Sequence, residues 1–252
     1  MIHPTAIIDP SATIADGVTI GPYSIIGKEV TIGSGTNIGP HVVIGDYTEI
    51  GKDNRFFQFS SIGEENQDKK YAGEPTKTII GDGNVFRECC TVHRGTTQDK
   101  SETRIGNNGW FMAYTHIAHD CVLGDNIIMS NNATLAGHVE VGDFVILSGF
   151  AKIHQFCKIG AHAFVGMDCA ISKDIPPFVL VAENAPYGLN SEGLKRRGFS
   201  GDSISALKKA YRSIYRKSLK IDEAIAEMAQ SDDIHVAHLI QFLKDAKRGI
   251  LR

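Results

Sequence analysis

Residues 115–121 read THIAHDC: His116 and His119 lie three apart, and Asp120 follows directly on the second histidine. An imidazole beside a carboxylate can remove a proton near neutral pH, the carboxylate orienting the ring and balancing its charge. The same side chains could instead belong to a metal site, or be surface polarity. Which of these holds depends on where the scaffold points them.

Bulk properties narrow the classes. The chain has 252 residues, enough for one large domain or two smaller ones. From Gly193 onward there are 13 Lys and Arg against 7 Asp and Glu, whereas the preceding part has 13 against 22. A basic tail on an acidic body suits an anionic partner. Five cysteines without a CxxC pair argue against a disulfide scaffold and a zinc ribbon. MIHPTAIIDP lacks a basic leader with an apolar core, and no run of about 18 apolar residues occurs. A soluble, cytoplasmic chain is expected, with no membrane insertion and no nucleic-acid partner.

The elements that must position the histidines come from a repeat. Apolar residues recur every six positions from Ile2 to Ile62, at Ile80, Phe86 and Val92, and from Ile105 to Ile171. Of these 26 hexad heads, 13 are followed by Gly, which suggests a turn needing unusual backbone angles. The fifth slot is mostly small or β-branched and should point inward with the next head. Cys90, Cys121, Cys157 and Cys169 occupy that slot and read as small buried hydrophobes. Such units bury an apolar face only by stacking, as in a parallel β-solenoid. Residues 64–78 and 93–104 break the rhythm and read as excursion loops, the second making its interval 13 residues instead of 12. Pro176 and Pro177 are expected to end the repeat. Beyond Ser200, Ile204, Leu207, Tyr211, Ile214 and Tyr215 form a helical stripe, with further helices expected near 221–230 and 234–247. The domains are therefore a hexapeptide-repeat β-helix over 1–185 and an α-helical domain over 186–252.

In this frame His116, His119 and Asp120 face outward or sit at a corner. With three hexads per coil, residues 18 apart stack at about 4.8 Å. Asp120 then lies under His138, and His119 under an exposed Gly137 whose N–H could serve as an oxyanion donor. A convex corner cannot enclose a substrate alone, so the site calls for a neighbouring rod or the excursion loops, and a symmetric oligomer with the site between subunits is expected. His116, His119 and His138 could surround zinc, as three histidines do in a hexapeptide-repeat carbonic anhydrase. HIAHD is not HExxH, however, and no second pair has ligand spacing. Acid–base chemistry without metal or cofactor is the favoured reading. His3, His41, His162, His235 and His238 read as scattered surface polarity.

The runs QDKKYAGEPTKT, TVHRGTTQ, THIAHDC, NNATLAGHV, IHQFCKIGAHAFVG and NSEGLKRRGFS, with the closing RGILR, closely resemble the UDP-N-acetylglucosamine O-acyltransferase family. The resemblance spans essentially the whole chain. It implies a mostly β fold, a left-handed parallel β-helix with a C-terminal α-helical domain, assembled as a homotrimer. It also implies transfer of an (R)-3-hydroxyacyl group from acyl carrier protein to the 3-hydroxyl of UDP-N-acetylglucosamine, the first step of lipid A synthesis. The related N-acyltransferase resembles a longer chain with an extra N-terminal domain, whereas the hexads here begin at residue 2. A non-catalytic scaffold that only binds nucleotide sugar is the rival from another class.

Carried over by motif, the resemblance makes His119 the general base, Asp120 its orienting partner and Gly137 the oxyanion donor. Gln67, Asp68, Lys70, His93, His116, His138, His154 and Gln155 would bind the sugar and acyl hydroxyl. Asn190, Glu192, Arg196 and Arg197 would hold uridine and phosphates. Met167 stands where the family limits acyl length. Counted along the rod, His119 and Met167 are 48 residues apart, roughly 13 Å, which about ten carbons span. Hence 3-hydroxydecanoyl is the expected acyl group. Lys208, Lys209, Arg212, Arg216 and Lys217 give the acidic carrier protein a docking face.

Overall fold

The computed structural model describes residues 1–246 and 248–252. Short strands, mostly two residues and one per hexad, stack into three sheets of nine, eight and ten strands. Each sheet takes every third strand, and partners such as Ile7 with Ile25 are parallel and 18 residues apart. The fold is the mostly β, left-handed parallel β-helix with C-terminal helices that the repeat and the resemblance predict.

Alternation explains the core. Heads such as Ile26, Ile44 and Ile117 are buried, as are Cys90, Cys121, Cys157 and Cys169, all unpaired thiols. Burying each large side chain contributes about 1.5–3 kcal/mol, which an isolated hexad cannot collect. Phe56, Phe86 and Phe111 stack along the axis at 5.0 and 4.6 Å.

With one exception, the second-slot glycines are not there for backbone angle. Apart from Gly63, at φ 77°, their φ values are ordinary, and a Cβ on Gly45 would lie 2.4 Å from the Gly63 carbonyl oxygen in the next coil. Close stacking of coils excludes a side chain there. The left-handed conformation falls instead on the fourth slot, where Asp120 has φ 58° and His138 φ 64°. These corner residues carry the candidate chemistry.

The excursions are shorter than expected, spanning 65–76 and 94–101 between the flanking strands. Each is one side of a coil with extra residues, so stacked residues jump to 30 and then 25 apart. The sequence count of 13 in place of 12 had read one side as two. Beyond Pro176 and Pro177, Val179–Ala182 still adds a parallel strand and pairs antiparallel with Ala185–Leu189. The prolines close the hexad rhythm without ending the sheet.

The helices are α1 Ser191–Arg196, α2 Gly201–Tyr215, α3 Ile221–Met228 and α4 Ile234–Asp245. Ser200 and Asp233 cap α2 and α4 through their side chains. Ile204, Leu207, Tyr211 and Ile214 are buried, as their spacing predicts. Helices α3 and α4 stop two residues before the expected ends, and position 247 lies outside the described residues. Among those residues no helix is long and apolar enough to cross a membrane.

Candidate active site

His119 and Asp120 follow the strand His116–Ile117 and occupy the corner leading to the next sheet. The left-handed backbone at Asp120 turns its carboxylate back toward the preceding ring, so His119 Nδ1 lies 2.9 Å from Asp120 Oδ2. Asp120 sits at a corner, one of the two placements expected, but is fully buried rather than outside the rod, because the 94–101 excursion folds over it. Its oxygens accept from the Thr96 hydroxyl at 2.7 Å, the Thr96 N–H at 3.0 and 3.1 Å, and the Lys100 N–H at 3.3 Å. Burial pushes this carboxyl up, but hydrogen bonds from His119 and Thr96 outweigh it and hold Asp120 below the usual carboxylate range. An ionised carboxylate only accepts, so His119 Nδ1 carries the hydrogen, and in the neutral ring the lone pair is on Nε2.

The ring lies against Gly137 in the next coil. A Cβ on Gly137 would come within 2.6 Å of His119 Cε1 and 2.8 Å of Nε2, so only glycine admits the ring. Gly137 is therefore buried beneath the imidazole rather than exposed. Among the described residues its N–H donates to no protein acceptor.

His138 stands edge-on to His119 at 4.9 Å, stacks on Phe156 at 4.3 Å, and meets Asp99 Oδ2 through Nδ1 at 2.7 Å. Burial, then the nearby His116 and His119 rings, pushes His93 down to about 4, so it is neutral at pH 7. Burial and His119 likewise lower His116, whose Nδ1 meets the Thr91 hydroxyl at 2.8 Å. His93 itself is buried rather than outward. A cleft of about 600 Å³ beside His138 is lined by Asp68, Lys70, Asp99, Lys100 and Phe156.

His119, Asp120 and His138 have potential metal-ligand atoms within 4.8 Å of one another. At Asp120 a cation would compete with the donors from Thr96 and His119, and Nδ1 of His138 already faces Asp99. The arrangement suits proton transfer better than metal ligation.

A family profile described as "Udp N-acetylglucosamine O-acyltransferase; Domain 2" matches residues 174–251. The acyl-[acyl-carrier-protein]–UDP-N-acetylglucosamine O-acyltransferase of Thiobacillus denitrificans is 60% identical over 255 residues, covering 100% of this chain and 99% of that protein. The chain belongs to the UDP-N-acetylglucosamine O-acyltransferase family. The solved family structure from Moraxella catarrhalis superposes with a TM-score of 0.98 at 48% identity, covering 100% of this chain and 99% of that one. The one from Acinetobacter baumannii gives 0.97 at 46%, with the same coverage.

The residues the family resemblance selects divide by position. Asp68, Lys70 and His138 line one cleft. Gln67 is exposed on the first excursion, and His154 and Gln155 are exposed one coil beyond Gly137 on the same corner. Asn190 is mostly buried: its side chain caps α1 and donates to the His162 carbonyl at 2.9 Å. Glu192 and Arg196 are exposed on α1, while Arg197 lies over the Phe144 ring and donates to the Phe144 carbonyl at 3.0 Å. His162 is not surface polarity, since it stacks on Phe144 at 4.9 Å at the helical junction. Met167 is 74% exposed but follows the strand Phe164–Val165 in a different sheet, hence on a different corner from His119. The axial count omitted this sideways separation. Thr96, Asp99 and Thr103, whose hydroxyl accepts from the Asp120 N–H at 2.8 Å, were not anticipated.

Proposed function

We propose that this protein moves an (R)-3-hydroxyacyl group from acyl carrier protein to the glucosamine 3-hydroxyl of UDP-N-acetylglucosamine. The names of its relatives supply donor, acceptor and O-acyl product. The observation that carries the mechanism is the 2.9 Å contact of His119 Nδ1 with Asp120, which leaves Nε2 to act as base. Nε2 takes the hydroxyl proton while the sugar oxygen attacks the thioester carbonyl, and the Gly137 N–H donates to the tetrahedral oxyanion. Collapse breaks the carbon–sulfur bond, and the imidazolium proton passes to the departing thiolate. The balance requires no covalent enzyme intermediate, metal or cofactor.

Gln67, Asp68, Lys70, His93, His116, His138, His154 and Gln155 hold the sugar and acyl hydroxyl in this reading. Asn190, Glu192, Arg196 and Arg197 hold uridine and phosphates. A homotrimer supplies the missing wall: the Met167 corner of one copy faces the His119 corner of the next, and Met167 closes the acyl groove near ten carbons. The exposed Lys208, Lys209 and Arg212 of α2, with Arg216 just past its end, receive the carrier protein, whereas Lys217 is paired with Glu227.

The test is mass spectrometry of UDP-N-acetylglucosamine incubated in chelator with 3-hydroxyacyl carrier proteins of about ten, twelve and fourteen carbons. A ten-carbon ester is expected, formed about 10²–10⁴-fold more slowly by His119→Ala. Met167→Gly should move the preference to longer chains, and salt should raise the KM for carrier protein. No ester at any length from the parent would sink the reading and favour the binding scaffold.

A further inference from the structure

We propose that Thr96 is a positioning residue for the acid–base pair, aiming the Asp120 carboxylate at His119 and setting how firmly the ring holds its proton. The inference rests on the transfer reaction above. Asp120 Oδ2 is shared among three donors: the Thr96 hydroxyl at 2.7 Å, the Thr96 N–H at 3.1 Å and His119 Nδ1 at 2.9 Å. With the hydroxyl and the Thr96 N–H in place, rotation of the carboxylate is blocked. The side of Oδ2 left free is the one facing the ring.

Thr96 is 2% exposed, and its backbone is fixed from both excursions. The adjoining Gly95 carbonyl accepts from the Thr76 hydroxyl at 2.6 Å and Asn66 Nδ2 at 3.1 Å, and the Gly95 N–H donates to the Lys77 carbonyl at 3.2 Å. A Cβ on Gly95 would lie 2.2 Å from Glu102 N, so glycine alone lets the loop close this tightly. The hydroxyl is thus delivered by a held backbone, and β-branching restricts its χ1 further.

The electrostatic consequence has a definite sign. A donor on the carboxylate spends part of its negative charge, leaving less to stabilise a protonated His119. Removing that hydroxyl makes the ring keep its proton to higher pH. The other groups facing His119 are His138, edge-on at 4.9 Å, His116 on the strand that leads into it, and His93 one coil earlier. The Thr96 hydroxyl touches none of them.

The test is steady-state kinetics from about pH 5 to about pH 9 for the parent, Thr96→Val and Thr96→Ser. Thr96→Val keeps the shape and the N–H, and should lower kcat about tenfold while KM for the nucleotide sugar stays within about twofold. Its rising limb of kcat/KM should move to higher pH by several tenths of a unit, and Thr96→Ser should restore both rate and limb. Parental kcat and limb in Thr96→Val would overturn the proposal. So would a loss confined to KM or melting temperature with the limb unmoved, which is what mere loop stabilisation predicts. If Thr96→Val does not fold, Thr96→Ala must give the same shift, and an unshifted limb overturns the proposal. A parent without turnover would sink the transfer reaction itself, and the positioning role with it.

Discussion

His119 and His138 each lean on a carboxylate at one corner of the rod, but the two carboxylates live in different surroundings. Asp120 belongs to the corner itself, is fully buried, and receives donors from the excursion above it. Asp99 belongs to the excursion, keeps 36% of its side chain exposed, and is shared between His138 and Lys100. Burial raises the Asp99 carboxyl, and hydrogen bonds from His138 and Lys100 more than offset this. The contrast separates two jobs that neighbouring His–Asp pairs can do. A dry carboxylate fixes tautomer and orientation, whereas a wet one mainly tethers a ring to a loop and is weakened by solvent.

Three variants would break or sharpen that contrast. The largest effect should come from Asp120→Asn, which keeps the shape and removes the charge: kcat should fall about 10²–10⁴-fold. Because Asp120 is held below its ordinary value, its hydrogen bonds stabilise the fold at neutral pH. That contribution is lost as pH falls below about 4, through the lowered value. The melting-temperature gap between parent and Asp120→Asn should therefore close on acidification, and a gap independent of pH would contradict the buried-ion description. Gly137→Ala should come next. Its Cβ would meet the His119 ring, and displacing the ring by about 1 Å costs on the order of 10²-fold in kcat, with circular dichroism unchanged. Asp99→Asn should cost the least, under about tenfold, and the difference from the parent should narrow as salt rises. If it costs as much as Asp120→Asn, the two pairs act as one unit and the contrast fails.

The sequence made the rod legible because hexad heads report burial directly: every coil must fill the same interior. It also placed His119 under Gly137 and Asp120 beside His138, since both follow from stacking 18 residues apart. Local chemistry was harder to read. The second-slot glycines suggested backbone angle, while the structure assigns them to contact between coils. Asp120 looked exposed because slot arithmetic knows nothing of a loop that leaves the repeat and returns over it. Thr96 and Asp99 lie in that loop, where no period fixes direction. Met167 misled for a related reason: a residue's slot gives its height and its place on one side, but the side itself depends on the hexad count modulo three.

The way both excursions are tied at the Gly95 carbonyl bears on how local the catalytic corner is. A solenoid transmits stability mainly between adjacent turns. Every group shown touching the His119–Asp120 and His138–Asp99 pairs, or holding Thr96, lies between Asn66 and Phe156. The two acid–base pairs and their supports are thus a local module inside a longer stack. Fraying at the first coils can proceed without reaching it, because several intact turns separate the loose end from the nearest working group.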